Sequence, residues 1–122
     1  MKVYGLTLLL RDDPVAIEHY KEYHQHVWPE VTARIRECGI GTMRIFLLQR
    51  RMFMYIETDD SFDPATDFAR INEAPRSQAW DTLMRSLQEL APEAAAGEWW
   101  ARMEQVFDLG WDEAMRSGGD WQ

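Results

Sequence analysis

The order of apolar patterns along the chain is the feature that most limits its fold. Short β-compatible runs alternate with segments in which apolar residues recur every three or four positions, as on one face of a helix. Strands are predicted at 3–10, 42–49, 52–58 and 99–109, and helices are predicted to begin at 14, 63 and 75. This β-α-β-β-α-β order predicts an α+β, ferredoxin-like fold, in which one antiparallel sheet carries its helices on one face.

Local signals fix several boundaries. Asp13–Pro14 is typical of a helix N-cap followed by proline at the first helical position. Pro29 predicts a kink or restart of this helix, and Gly39 its final end. Arg50–Arg51 separates the two central strands and predicts a hairpin. Because arginine is poorly suited to a two-residue primed turn, a longer turn is the alternative.

The far face of the predicted sheet is also apolar, with Phe, Met, Leu and Tyr at alternate positions. A contiguous patch of this kind is unfavourable in water. A second copy packed face to face would cover it, so the pattern predicts a homodimer. Residues 1–109 form one predicted domain, and 110–122 form a polar tail with Trp111 and Trp121.

Composition excludes several classes of protein. The net charge of −8 disfavours nucleic acid and anionic membranes as partners, although it does not oppose a neutral sugar. The start of the chain lacks the long apolar core of a signal peptide, and no run approaches membrane-spanning length. Cys38 is the single cysteine, so an intramolecular disulfide is impossible and a cytoplasmic location is expected.

The stretch Tyr20–Glu30 gathers the side chains best suited to chemistry. His24 shares a predicted helical face with Tyr20, whereas His19 and His26 fall off that face. An imidazole titrates near neutrality and can therefore give and take protons at physiological pH. The competing interpretation is a core histidine bonded to a backbone carbonyl.

Other types of site find less support. There is no His-Glu-x-x-His pattern, and a metal site would have to use His19 with His26, outside the predicted pocket. Cys38 has no identifiable base partner and is predicted to be a small buried hydrophobe. Trp28 and Trp80 have two interpretations, as core residues or as platforms for a sugar ring.

Several motifs together resemble a known family. They are Tyr20-x-x-x-His24-x-x-x-Trp28-Pro29-Glu30, Gly39, Glu57-Thr58-Asp59-Asp60, Pro75-Arg76-x-Gln78-x-Trp80-x-x-Leu83-Met84 and Met103-Glu104-x-Val106-Phe107. With them the chain resembles the L-rhamnose mutarotase family as far as Leu109, and most of all the branch described as L-fucose mutarotases. The resemblance implies a dimeric α+β barrel.

The resemblance also implies roles for residues. His24 matches the proton donor of the rhamnose enzymes, and Tyr20 and Trp80 match residues that contact the sugar. The rhamnose branch has tyrosine at the position of Met43 and a second tryptophan at that of Asp81, so the sugar contacts there must differ. Methionine at position 43 favours the fucose branch. The predicted site comprises His24 and Tyr20 as catalytic residues and Trp80, Trp28, Glu30, Met43 and Asp81 as substrate-binding residues.

The implied activity is interconversion of the α and β anomers of a free 6-deoxyhexose, with L-fucose favoured over L-rhamnose. Protonated His24 would be the acid, Tyr20 would orient it or the sugar, and Glu30 or a water would carry the second proton. No metal or organic cofactor is expected. Two alternatives stay open, namely a haem or quinol monooxygenase of similar fold and a non-catalytic small-molecule-binding domain.

Overall fold

The computed structural model describes residues 1–111, in which strands and helices alternate as predicted. The strands are β1 (Lys2–Leu10), β2 (Ile40–Leu48), β3 (Arg51–Thr58), β4 (Gln88–Glu89) and β5 (Ala101–Met103). The helices are α1 (Pro14–Gln25), α2 (Pro29–Glu37), α3 (Pro64–Ile71) and α4 (Pro75–Arg85). The tail predicted for 110–122 lies outside the described residues from position 112 onward.

The strands form one antiparallel sheet in the order β2-β3-β1-β4, with β5 also paired to β1. The first strand of the chain therefore lies inside the sheet, because each helical connection crosses one intervening strand before the chain returns. This is the ferredoxin-like strand order, so the predicted antiparallel α+β fold is confirmed.

The starts of α1 and α3 are capped by aspartate, as was predicted for Asp13. The side chain of Asp13 accepts a hydrogen bond from Val15 N at 3.0 Å, and Asp63 accepts one from Ala65 N at 3.0 Å. Proline occupies the first helical position after each cap, where its missing N–H costs nothing. Each cap contributes about 1 kcal/mol to stability. The chain leaves α1 at Gln25 and restarts as α2 at Pro29, as predicted.

Two tight turns use left-handed backbone. Gly39 ends α2 with φ 103°, as the sequence predicted. The hairpin loop is Gln49–Arg50, since Leu48 pairs with Arg51, and Gln49 has φ 57°. The predicted turn at Arg50–Arg51 was therefore wrong by one position, and the longer alternative was also wrong. Arg50 Nε donates to the carbonyl of Leu10 at 2.9 Å, which ties the short turn to β1.

The C-terminal part of the sheet departs most from prediction. The strand expected at 99–109 is limited to Ala101–Met103, and the two-residue strand β4 was not predicted. Residues 104–109 bury none of their side chains, so extending the strand through them would gain little apolar burial. β4 pairs with Leu9–Leu10 of β1, next to the residues of β1 that pair with β5.

The core lies between the helices and one face of the sheet. That face contributes alternate residues of the two central strands, with Leu6, Leu8 and Leu10 from β1 packed beside Met52 and its β3 neighbours. Full burial of each such side chain contributes about 1.5–3 kcal/mol. Cys38 is only 2% exposed and belongs to this core, as predicted.

Part of the opposite face of the sheet is apolar and is left uncovered by the described part of the chain, although Arg44 and Glu57 lie on the same face. Phe46 is 58% exposed and stacks on Phe53, with ring centroids 6.1 Å apart. Leu48 is 78% exposed at the end of the same strand, and Met103 is half exposed on β5. Gly5 provides the space for the Phe53 ring, because a Cβ there would lie 3.0 Å from the ring edge. None of the helices within residues 1–111 is long and apolar enough to cross a membrane.

Candidate active site

A cavity of about 740 Å³ lies between the helices and the inner face of the sheet. This volume is in the ordinary range for small-molecule sites. Tyr20 and His24 line it from α1, Trp80 and Asp81 from α4, and Met43 from β2. A second opening of about 400 Å³ shares His24, Met43 and Trp80, so the imidazole lies where the two cavities meet.

His24 is half-buried in the last turn of α1. Its Nδ1 lies 2.9 Å from the carbonyl oxygen of Tyr20, one helical turn earlier. Because a carbonyl oxygen can only accept, Nδ1 carries a hydrogen, and the neutral ring keeps its lone pair on Nε2. Burial lowers the pKa of His24 below 6.5, while the hydrogen bond to the Tyr20 carbonyl partly opposes this effect. The neutral imidazole, with Nε2 as a proton acceptor, is therefore the resting form at pH 7.

Tyr20 stacks on the imidazole, with centroids 4.1 Å apart and ring planes 28° apart. Burial raises the pKa of Tyr20 to about 12, and a hydrogen bond with the Gln88 side chain partly opposes this effect. The phenol therefore stays protonated at neutral pH. Beside a base in a largely apolar cavity, it can serve as a neutral hydrogen-bond donor.

Trp80 forms an aromatic wall beside this pair. Its ring contacts His24 edge to face at 5.5 Å, and Tyr23 and Trp28 contact it in the same manner at 6.2 and 5.2 Å. Trp28 lies behind this wall rather than on the cavity surface, with the Arg76 guanidinium 4.0 Å above its ring. Of the two tryptophans predicted to contact a sugar, the structure therefore brings only Trp80 to the cavity.

Of the two charged residues of the predicted site, the structure likewise brings only one to the cavity. Asp81 lines the cavity and pairs with Arg85 at 2.8 Å, and the Arg85 guanidinium lies 4.5 Å from the centre of the Trp99 ring. Glu30 instead lies on the surface, where its carboxylate is 3.9 Å from Arg76 Nε. It is not part of either cavity, so it is badly placed to carry the second proton.

The sequence did not predict the side of the cavity formed by residues 88–102. Gln88, Trp99 and Arg102 line it, and so does Ser77 at the start of α4. Gln88 follows Trp80 and Met84 at successive intervals of four, which was the available sign that it shares their face. Ser77 Oγ is buried without a hydrogen-bond partner among the described residues.

The histidines form no metal site within the described part of the chain. His19 and His26 are both exposed, as predicted. Across residues 1–111 there is no cluster of three or more His, Cys, Asp or Glu side chains arranged to hold a metal ion. The donors needed for a His19–His26 site are therefore incomplete.

Sequence comparison places the chain among sugar-processing proteins. A sequence model described as L-rhamnose mutarotase matches residues 3–109. A UPF0734 protein of Dictyostelium discoideum is 44% identical over 114 residues, covering 90% of this chain and 91% of the relative. An L-fucose mutarotase of Xanthomonas campestris is 35% identical, covering 92% and 91%. An L-rhamnose mutarotase of Enterococcus faecalis is 27% identical, covering 74% and 84%.

Comparison of folds agrees with the sequence. The crystal structure of an L-rhamnose mutarotase from Formosa agariphila superposes with a TM-score of 0.66 and 19% identity, covering 89% of this chain and 99% of the other. At this identity the similarity establishes the fold alone. It supports the ferredoxin-like architecture derived from the strand order.

Proposed function

The chain belongs to the L-rhamnose mutarotase family, and on this premise we propose that it interconverts the α and β anomers of a 6-deoxyhexose, with L-fucose preferred to L-rhamnose. The observation that carries the proposal is His24, a neutral imidazole at the meeting point of two cavities, stacked on a buried phenol. Family membership favours this reaction over the haem or quinol monooxygenase alternative. A cytoplasmic location remains part of the proposal.

The proposed reaction moves one proton between two oxygens of the sugar. Nε2 of His24 takes the proton of the anomeric hydroxyl, the C1–O5 bond breaks, and C1 becomes an aldehyde carbon. The imidazolium then returns the proton to O5, giving the open-chain sugar. Rotation about C1–C2 followed by the reverse steps closes the ring on the other face of the aldehyde. General acid–base transfer of this kind contributes about 10²–10⁴-fold.

A single imidazole can perform both transfers because O1 and O5 are bonded to the same carbon. The resting neutral state of His24 makes it a base before it is an acid, which modifies the role expected from the sequence. Tyr20, protonated at neutral pH, is proposed to donate a hydrogen bond to O5 as charge develops there. Glu30 takes no part in this scheme.

Sugar recognition is assigned to the side of the cavity that α4 forms. Trp80 offers an aromatic surface, and the Asp81–Arg85 pair offers a carboxylate and a guanidinium that can bond ring hydroxyls. Met43 leaves the β2 side apolar, which suits the methyl group of a deoxy sugar. The preference for L-fucose rests on the greater identity to the fucose relative, 35% against 27% for the rhamnose relative.

Exchange NMR between the α and β anomeric protons tests the activity and the preference together. L-fucose, L-rhamnose and D-glucose are compared at equal concentration with the uncatalysed rate subtracted. We expect kcat/KM to be higher for L-fucose than for L-rhamnose by about tenfold or more. Sugar binding without faster exchange would favour the non-catalytic binding domain. Equal or greater acceleration of L-rhamnose would contradict the fucose preference.

We also propose that the working form is a homodimer. The uncovered sheet face, with Phe46, Leu48, Phe53 and Met103, offers the apolar surface that a second copy would bury. Packing of two such faces produces a symmetric dimeric α+β barrel, as the family resemblance implies.

A further inference from the structure

Gln88 is a buried neutral amide beside the proposed catalytic pair. It belongs to β4, is 5% exposed and lines the same cavity as Tyr20 and His24. Its Oε1 accepts a hydrogen bond from Trp99 Nε1 at 2.7 Å. A buried amide is costly unless its polar atoms are bonded, so a glutamine at this position has to be explained by its partners.

The bond to Trp99 fixes which way the amide faces. An indole N–H is only a donor, so the oxygen of Gln88 must face Trp99 and its NH₂ group must face elsewhere. Gln88 and Tyr20 line the same cavity, and the Gln88 side chain lowers the pKa of Tyr20, as a hydrogen-bond donor to the phenol oxygen does. In that contact the amide N–H donates and the phenol oxygen accepts. The hydrogen of the Tyr20 hydroxyl is then left for another acceptor.

We infer that Gln88 is a positioning residue, which orients the Tyr20 O–H as a donor toward the cavity and is itself held by Trp99. This inference rests on the proposed function for its substrate, in which the acceptor is the sugar ring oxygen. The hydrogen bonds then follow one order. The Trp99 indole N–H donates to the Gln88 amide oxygen, the amide N–H donates to the Tyr20 phenol oxygen, and the phenol O–H donates to the sugar.

Gln88→Glu tests this polarity with little change of volume. A carboxylate can only accept, so it keeps the bond to Trp99 and attracts the Tyr20 hydrogen away from the cavity. Assayed at pH 8 by anomer exchange, kcat should fall about tenfold while KM changes less than about threefold, because the lost bond strengthens in the transition state. Gln78→Glu, on the exposed side of α4, should retain wild-type kcat.

A double-mutant cycle separates positioning from general support of the fold. With Tyr20→Phe already present, Gln88→Glu should lower kcat by less than about twofold, since no phenol hydrogen remains to be oriented. An equal loss in both backgrounds, or an unchanged kcat in the single variant, would overturn the inference. If Gln88→Glu fails to fold, Gln88→Met removes the same donor without introducing a charge and enters the cycle in its place.

NMR of the sugar-free protein provides a readout independent of catalysis. Tyr20→Phe should shift the side-chain N–H resonances of Gln88, and Gln88→Met should shift the indole N–H of Trp99. Unshifted resonances would overturn the network even in an active enzyme. Shifted resonances in a wild-type protein that accelerates no anomer exchange would support the network and refute the mutarotase proposal.

Discussion

The carbonyl of Tyr20 holds Nδ1 of His24 at 2.9 Å, while the phenol ring of the same residue stacks on the imidazole. Both contacts come from residues one turn apart on α1, so the helix itself sets the position and the tautomer of the imidazole. Nε2 is thereby kept as the proton-accepting nitrogen. Catalysis should therefore depend on the imidazole of His24 and on its neutral form.

Replacing His24 by Gln should remove catalysis but keep the fold. Glutamine can still form a hydrogen bond, although it cannot carry a proton between two oxygens. We expect kcat for anomer exchange to fall by about 10²–10⁴-fold. His26→Gln, two residues away and exposed, is the matched control and should behave as wild type. Wild-type exchange in the His24 variant would remove the imidazole from the mechanism.

The pH profile should report the base form of His24. Burial lowers its pKa below 6.5, so the neutral form predominates at pH 7 and is lost as the pH falls through the lowered value. The exchange rate catalysed by the enzyme should be highest and level at alkaline pH and should decrease as the pH falls through the lowered pKa. An acidic limb with its midpoint at or above pH 6.5 would contradict the proposed role as a base.

The same shift should affect stability. Between the lowered pKa and 6.5, the unfolded chain binds a proton at His24 that the folded chain does not, so the free energy of unfolding decreases as the pH falls through this window. Urea unfolding at pH 7.5 and 5.5 measures the decrease. It should be larger in wild type than in His24→Gln, which lacks the titrating group. Identical decreases in the two proteins would show that burial does not shift this pKa.

Gly39 and Gly41 provide a matched pair for the turn after α2. Gly39→Ala places a Cβ at φ 103° and 2.7 Å from an oxygen of Asp59, whereas nothing lies within 4 Å of a Cβ at Gly41. The Gly39 variant should lose about 1–2 kcal/mol of unfolding free energy in urea titration. Gly41→Ala should lie within about 0.5 kcal/mol of wild type. Similar values for both variants would exclude a requirement for glycine at position 39.

Phe53→Asp tests the proposed dimer. In a symmetric pair each protomer would bring its own aspartate into the interface, so the charge is introduced twice. The dissociation constant, measured by analytical ultracentrifugation, should rise by about 100-fold or more, roughly 3 kcal/mol. Val15→Asp replaces an exposed apolar residue on α1 and should leave the assembly unchanged. A monomeric wild type would refute this interface.

Sequence periodicity was sufficient to predict the helices and strands that bury one regular face. The 20/24 spacing on α1 places Tyr20 and His24 together in the cavity, and the alternate buried residues of β3 match its strand pattern. Proline and aspartate signals located helix starts because capping is a local interaction. The antiparallel sheet followed from the order of these elements and from handedness.

The features that the sequence did not predict depend on contacts between residues distant in the chain, or on a change in the direction of the backbone. The bond between Gln88 and Trp99 joins a two-residue strand to a loop, and the spacing of the two residues in the sequence does not predict this contact. Glu30 follows the break at Pro29, and the new direction of α2 carries it away from the face of His24. Arg50 stabilises the two-residue turn by donating a hydrogen bond to the Leu10 carbonyl of β1. Residue preferences for turns do not account for such a long-range contact.

The deep burial of Cys38 offers a practical route to spectroscopy. Its thiol is shielded in the native protein, so maleimide reagents should spare it without mutagenesis. One new cysteine at a solvent-facing position of α1 could then carry a spin label or a fluorophore alone. In the proposed homodimer, pulsed electron paramagnetic resonance between two such labels would measure the distance between the subunits without any change to the core.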